Sequence, residues 1–347
     1  MADCSSGSCV VRFTTRSEKR NDYEKDPLKA GEIWQGLRDD VFRIAQNYLT
    51  STYTLSSIEG YLHDAWDEFI HAALLQPADS AELDRLVTLI LEVRELGGLS
   101  KQGEQEAAVM SNGQRLWTDL PFLAEDLYAF WSKESDALTA AQRASLAAFT
   151  GKLCAVGVCA PALARCALWL FKRAFETEIS AETMAEMLPA CREWFFYGNT
   201  TLVKLCRDNH GSGASGDGDG DGALETPGPL VTDAETKQRR GFSIARWLLW
   251  RRRAGQMYAA RLGQASGEAA EVSAEVSAEV SKLGRACFEQ MVSAGLVAGV
   301  TVPGEKVFLE RLFKALDDEL ASGRATGCVG AEDIEIDVRW AEEDAEQ

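Results

Sequence analysis

Histidine is nearly missing from this chain: His63, His71 and His210 are the three that occur in 347 residues. A Ser-His-Asp or Cys-His mechanism must therefore draw on one of them. No nucleophile elbow of the form Gly-x-Ser-x-Gly is present. Neither a Gly-x-Gly-x-x-Gly run after a strand nor a P-loop ending in Gly-Lys-Ser/Thr appears, so nucleotide chemistry has no support. Positive charge is also short, with 36 Lys and Arg against 54 Asp and Glu and a formal charge of −18. A field of that sign repels polyanions, which excludes bulk nucleic-acid binding as the overall mode. Strand-like alternation is almost absent; Ile334, Ile336 and Val338 near the C-terminus form the one short, acidic exception.

The N-terminus lacks the apolar run of a secretory signal, and Asp3, Glu18 and Asp22 interrupt the basic stretch of Arg12, Arg16, Lys19 and Arg20. Nine cysteines, an odd number, fall mostly in helix-like apolar stretches, the pattern of reduced thiols in a cytoplasmic or nuclear protein. Cys4 and Cys9, like Cys154 and Cys159, have no matching downstream Cys or His pair, so no zinc site is expected. Residues 153–171 approach the length of a membrane span, but Gly157 and Pro161 break them into two buried helices meeting at a turn. No transmembrane segment is expected.

What remains is helical periodicity. Ile33, Leu37, Val41, Ile44 and Tyr48 form an amphipathic stripe within 28–49. Ser56 and Glu59 have the spacing of a capping box ahead of a helix running to Pro77, and Asp79 and Glu82 open a third that Gly97 and Gly98 close. Asp119 and Pro121 predict the start of a helix carrying Leu123, Leu127, Phe130 and Trp131. Thr139 and Gln142 predict a capping box for the next. The apolar stretches 163–175 and 184–196, with Ser180 at the turn between them, supply the centre of the core. Residues 209–229 shift to Gly, Ser, Asp and Pro, a flexible insertion. Asp217, Asp219, Asp221 and Gly222 there imitate the opening of a calcium loop, but Gly228 stands where the bidentate Glu is required. Beyond it, a helix is expected over 243–262, a Glu-Val-Ser-Ala repeat from Glu271 lengthens another, and a last one follows Pro303. The fold class is all-α, an irregular multi-helix bundle with a Gly/Asp-rich flexible insertion. Residues 1–27 are expected to be a tail, 28–320 one helical domain and 321–347 an acidic tail.

Two segments resemble an uncharacterised fungal family, domain of unknown function 3632. One runs from Trp117 through Thr118, Asp119, Leu120, Pro121 and Phe122 to Leu123. The other runs from Gly241 through Phe242, Ser243, Ile244, Ala245, Arg246, Trp247, Leu248 and Leu249 to Trp250. With Ala167, Leu168, Trp169 and Glu176 between them, the resemblance spans roughly residues 30 to 300. It implies a largely helical intracellular fungal protein, and it brings no activity, cofactor or catalytic residue.

Three groups of residues invite a chemical reading. His63, Asp67 and His71 lie four apart along one helix face. At 1.5 Å per residue the two histidines are about 12 Å apart, too far to share one ion, so the row reads as a polar face. Trp117, before Asp119 and Pro121, has the look of a hydrophobic staple at a helix entrance. From Lys237 to Arg261 cations occur without an acid, and on a helix Trp247, Trp250, Ala254 and Met257 form one stripe with Arg246, Arg252 and Arg253 largely off it. Such a helix docks on an apolar groove or an anionic surface, or it buries its tryptophans in the protein's own core. The sequence thus suggests a non-catalytic protein-interaction module with an unknown protein partner and no cofactor or metal. The alternatives are a ligand-binding or enzymatic pocket between helices, with Trp117, Asp119, Arg246 and Trp250 as first candidates, or attachment to an anionic membrane or nucleic acid through Arg251, Arg252 and Arg253.

Overall fold

The structure, a computed structural model, describes residues 33–50, 53–101, 106–211, 226–232, 234–238, 240–262, 271–300 and part of 309–318. The described residues form eleven α-helices and no strand; one isolated bridge joins Val109 to Arg115. The helices are α1 (Ile33–Thr50), α2 (Leu55–Leu74), α3 (Ala81–Glu95), α4 (Leu123–Glu134), α5 (Ala140–Ala155) and α6 (Ala160–Phe175). They continue with α7 (Ala181–Tyr197), α8 (Asn199–Arg207), α9 (Ala234–Gln238), α10 (Ile244–Leu262) and α11 (Glu271–Val297). A 3₁₀ turn, Ser135–Ala137, joins α4 towards α5. The fold is all-α. Expectations for 1–27, the Gly-Asp run, the strand at Ile334–Val338 and the C-terminal tail lie outside the described residues.

Local sequence accounts for most helix boundaries. The Thr139 hydroxyl accepts from Gln142 N at 3.2 Å while Gln142 Oε1 accepts from Thr139 N at 3.1 Å, the expected reciprocal box. Ser180 caps α7 through Thr183 N. The turn between α5 and α6 falls at Gly157, as its sequence predicts. The caps of α2 and α3 differ. Thr54, not Ser56, caps α2, and Glu59 Oε1 instead accepts from Ser111 N at 2.6 Å, which draws the 106–122 loop onto the helix. Ser80, not Asp79, caps α3.

At the centre lies α5, where every residue from Arg143 to Cys154 is buried. A helix enclosed all round cannot rest on an amphipathic stripe, and its sequence accordingly mixes small residues with Leu and Phe. Its most extensive partner is α7, and α10 pairs with α11, which in turn covers α7. Phe171, Phe195, Trp247 and Trp250 form an aromatic layer where α6, α7 and α10 meet, with Phe171 stacked on Phe195 at 4.5 Å and Trp250 5.0 Å from Phe171. One continuous core runs from Ile33 to Ala294. No described helix is long and apolar enough to cross a membrane.

Arg143 anchors this centre. Its guanidinium donates to Ser135 O, Leu138 O and Glu186 O at 2.8–3.3 Å, tying the 3₁₀ turn and α7 to α5. Burial pushes its pKa down from the ordinary arginine value. Arg143→Gln, which reaches fewer of these carbonyls, is expected to cost about 2 kcal/mol in urea unfolding, because each stranded buried acceptor carries a desolvation penalty.

Candidate functional site

An open cleft of about 740 Å³ lies between α2, α4 and the start of α5. Volumes of this order suit small ligands. Along α2 its wall is His63, Asp67 and His71, the row singled out by its four-residue spacing, with Ile70 and Leu74 beneath. The facing wall is Asp126, Phe130, Lys133 and Glu134 of α4, and Leu138 and Gln142 close one end.

The row does not act as a unit. His63 Nδ1 lies 2.7 and 2.9 Å from the two carboxylate oxygens of Asp126, across the cleft wall. Asp67 faces His71 Nε2 at 3.7 Å, an ion-pair distance too long for a hydrogen bond. Two histidine–carboxylate pairs thus converge on one space. The Phe122 ring packs on His63 at 4.5 Å, and the rings of Phe130 and His71 lie perpendicular at 5.7 Å. Among the described residues no group of three His, Cys, Asp or Glu is placed to hold a metal ion.

The loop that delivers Phe122 and Asp126 is strained. Trp117, Leu120 and Phe122 all have positive φ, at 65°, 52° and 66°. A side chain in that region costs of order 1–3 kcal/mol, so the surroundings must enforce it. Trp66 Nε1 donates to Pro121 O at 2.7 Å, Gln114 Oε1 accepts from Phe122 N at 3.2 Å, and Asp119 closes on Arg115 through its backbone N and guanidinium. These contacts correct the helix-entrance reading. The cap of α4 is Phe122, without a side-chain cap bond, and Asp119 serves the loop rather than the helix. Trp117 lies five residues before that cap, not beside it as a staple requires, and is fully buried. The Arg115 guanidinium beside Asp119 holds its carboxyl below the usual aspartate range.

The second resembling segment builds a buried node. Glu176, at the C-terminus of α6, is 0% exposed, as is Arg246. Arg246 Nε and Nη2 donate to its two oxygens at 2.7 and 3.0 Å, Trp250 Nε1 donates at 2.7 Å, and Gly228 N at 2.6 Å. Arg246 Nη1 also donates to Gly241 O, and Leu230 N to the Glu176 carbonyl. The carboxylate therefore ties α6, α10 and the 226–231 segment together, with every bond a charge-assisted or buried one. A Cβ at Gly228 would sit 2.6 Å from the Glu176 carbonyl oxygen, which fixes glycine there.

Trp247 and Trp250 accordingly point into the core, 1% and 0% exposed, and Arg251 is buried with them; Arg252 is exposed and Arg253 half-buried. The structure brings Arg246 and Trp250 together and leaves Trp117 and Asp119 in the α3–α4 loop; none of the four lines the cleft. Cys154, Cys159, Cys166, Cys191, Cys206 and Cys287 are free thiols. Burial raises the pKa of each, that of Cys159 to about 11, so these are protonated packing groups and not thiolate nucleophiles. Asp126 and Phe130 are among the cleft residues that the sequence does not mark as a site, since an acid in the first turn of a helix and an apolar stripe residue are both ordinary there.

The family described as "Protein of unknown function (DUF3632)" matches residues 66–254. That range contains both resembling segments, Glu176, Gly228 and Asp126; His63 lies just before it. The chain is 28% identical over 178 residues to the protein named "Oxopyrrolidines biosynthesis cluster protein G" from Penicillium oxalicum. The match covers 49% of this chain and 46% of that protein, so less than half of the relative's length is represented. No solved structure matches.

Proposed function

The chain belongs to the DUF3632 family, whose description carries no activity, and from that premise we propose that it is a small-ligand-binding protein whose site is the cleft between α2, α4 and α5. The observation that carries this is the convergence of the His63–Asp126 and Asp67–His71 pairs on one largely polar space of ligand size. The strained loop supports the reading, because enforced left-handed residues hold Phe122 against His63 and set the first turn of α4, on which Asp126 stands. The Penicillium relative is named for a biosynthesis cluster, a setting in which a small-molecule binder has a place.

A non-catalytic protein-interaction module is the second reading. It is favoured by Phe196, 54% exposed and packed edge-on to Tyr197 at 4.8 Å, an aromatic pair that partner surfaces use. Attachment to an anionic membrane or nucleic acid draws less support, since Arg246, Trp247, Trp250 and Arg251 are inside and Arg253 is half-buried, which leaves Arg252 as the exposed cation of the Arg251–Arg253 cluster. The free thiols favour a cytoplasmic or nuclear setting.

The test is retention of a ligand. The intact protein and its Ala129→Trp variant, in which the indole fills the cleft from the α4 wall, are purified from the native cells and their bound small molecules identified by mass spectrometry after denaturation. A stoichiometric compound in the first and its loss from the second, at unchanged melting temperature, is the expected result. Equal complements of small molecules in both would remove the cleft as the site.

A further inference from the structure

We propose that the cleft selects ligands that carry a protonated amine on an apolar body; this rests on the ligand-binding reading above. The first ground is the orientation of His63. Its Nδ1 faces both oxygens of Asp126, so Nδ1 bears the donated proton, and in the neutral imidazole Nε2 is then a lone-pair acceptor. Phe122 on one face of the ring fixes its plane. The side chain is 42% exposed, and no described residue is hydrogen-bonded to Nε2. A histidine held by a carboxylate and an aromatic ring at the wall of a cleft presents its second nitrogen as an acceptor to a donor from outside the protein.

The second ground is the charge around it. Asp67, Asp126 and Glu134 face the same space as one cation, Lys133, with His63 and His71 as the titratable neighbours and Gln142 as the uncharged polar group. Acceptors therefore outweigh donors, and the −18 charge of the chain draws cations towards it and repels anions. Apolar surface at the facing wall and the closed end supplies the rest of the recognition. Phe130 and Leu138, both half-buried, present apolar surface beside the carboxylates, and an aromatic ring at that position can attract a cation to its face. A carboxylate ligand would meet these groups at the cost of repulsion, and a neutral alcohol would satisfy the acceptor without the charge.

Three probes of one shape separate these cases: phenethylamine, 2-phenylethanol and phenylacetate, each titrated into the full chain at pH 8 and low salt and followed by calorimetry. Phenethylamine is expected to bind at least about tenfold more tightly than the alcohol, as a charged hydrogen bond in a half-buried site allows, with phenylacetate weakest. The double variant Asp67→Asn, Glu134→Gln is expected to lose the preference for amine while still taking up the alcohol. Ala129→Trp is expected to abolish binding of all three. Alcohol or acid bound as tightly as the amine, and displaced by Ala129→Trp, would overturn the amine proposal and leave the cleft reading standing. No binding of any probe that Ala129→Trp abolishes would also overturn it, and ligand retention from native cells would then decide the cleft reading on its own.

Discussion

Glu176→Ala is expected to lower the stability of the protein by about 3–5 kcal/mol, the loss that follows when one partner of a buried ion pair is removed. The carboxylate is fully buried and receives four hydrogen bonds, from Arg246 Nε and Nη2, Trp250 Nε1 and Gly228 N. Its removal takes the counter-charge and two hydrogen bonds from a guanidinium inside the core, and orphans an indole N–H and a backbone N–H. Arg246→Ala is expected to cost a comparable amount by stranding the carboxylate. The double change Glu176→Leu, Arg246→Met should cost less than either, because an apolar pair of similar volume needs no counter-charge. Urea unfolding followed by tryptophan fluorescence measures all three. Losses that simply add would show that the two residues act independently, and a loss below about 1 kcal/mol for Glu176→Ala would show that water reaches the node.

Gly241→Ala should produce the next largest loss, about 2–4 kcal/mol, from two causes that add. Gly241 has φ +76°, a region in which a Cβ is strained. That Cβ would also run into the His210 carbonyl and stand 2.9 Å from Gly211 Cα, displacing the bond from Phe242 N to His210 O. Gly60 provides the control. It lies inside α2, where an added Cβ would meet nothing within 4 Å, and Gly60→Ala is expected to raise stability by about 0.5–1 kcal/mol through helix propensity. Melting temperatures of the two variants should therefore move in opposite directions. A shift of the same sign would mean that the Gly211–Gly241 contact relaxes at little cost.

The sequence makes legible whatever depends on neighbours within a turn or two. The Thr139–Gln142 box, the Ser180 cap and the break at Gly157 are local, and each is found where its spacing puts it. The α2 cap falls two residues before the position its spacing suggests, because Thr54 and Ser56 have equivalent chemistry and the choice between them rests on Glu59, which the loop at Ser111 takes away. What the tryptophan stripe of α10 faces is not local. Trp247 and Trp250 define an apolar face in either setting, and it is Glu176, on α6 before the insertion, that brings Trp250 inside. The cleft is half legible. His63, Asp67 and His71 stand out by their spacing, but the partner of His63 is Asp126 on another helix, delivered by a loop whose left-handed residues at Trp117, Leu120 and Phe122 no propensity would assign.

The contact between Gly211 and Gly241 also bears on how this protein tolerates change. Gly211 and Gly241, on either side of the Gly-Asp run in sequence, are held against each other, and Gly228 on Glu176 is a second mooring. The entropy of closing a loop whose ends are already fixed together grows only with the logarithm of its length, about 0.6 kcal/mol for each doubling. A change in the number of residues between these moorings is therefore expected to cost less than one hydrogen bond to the body. A folded reporter or a protease site introduced between Gly211 and Gly228 is therefore expected to leave the melting temperature of the helices that carry the cleft unchanged, because those two moorings lie on the body itself.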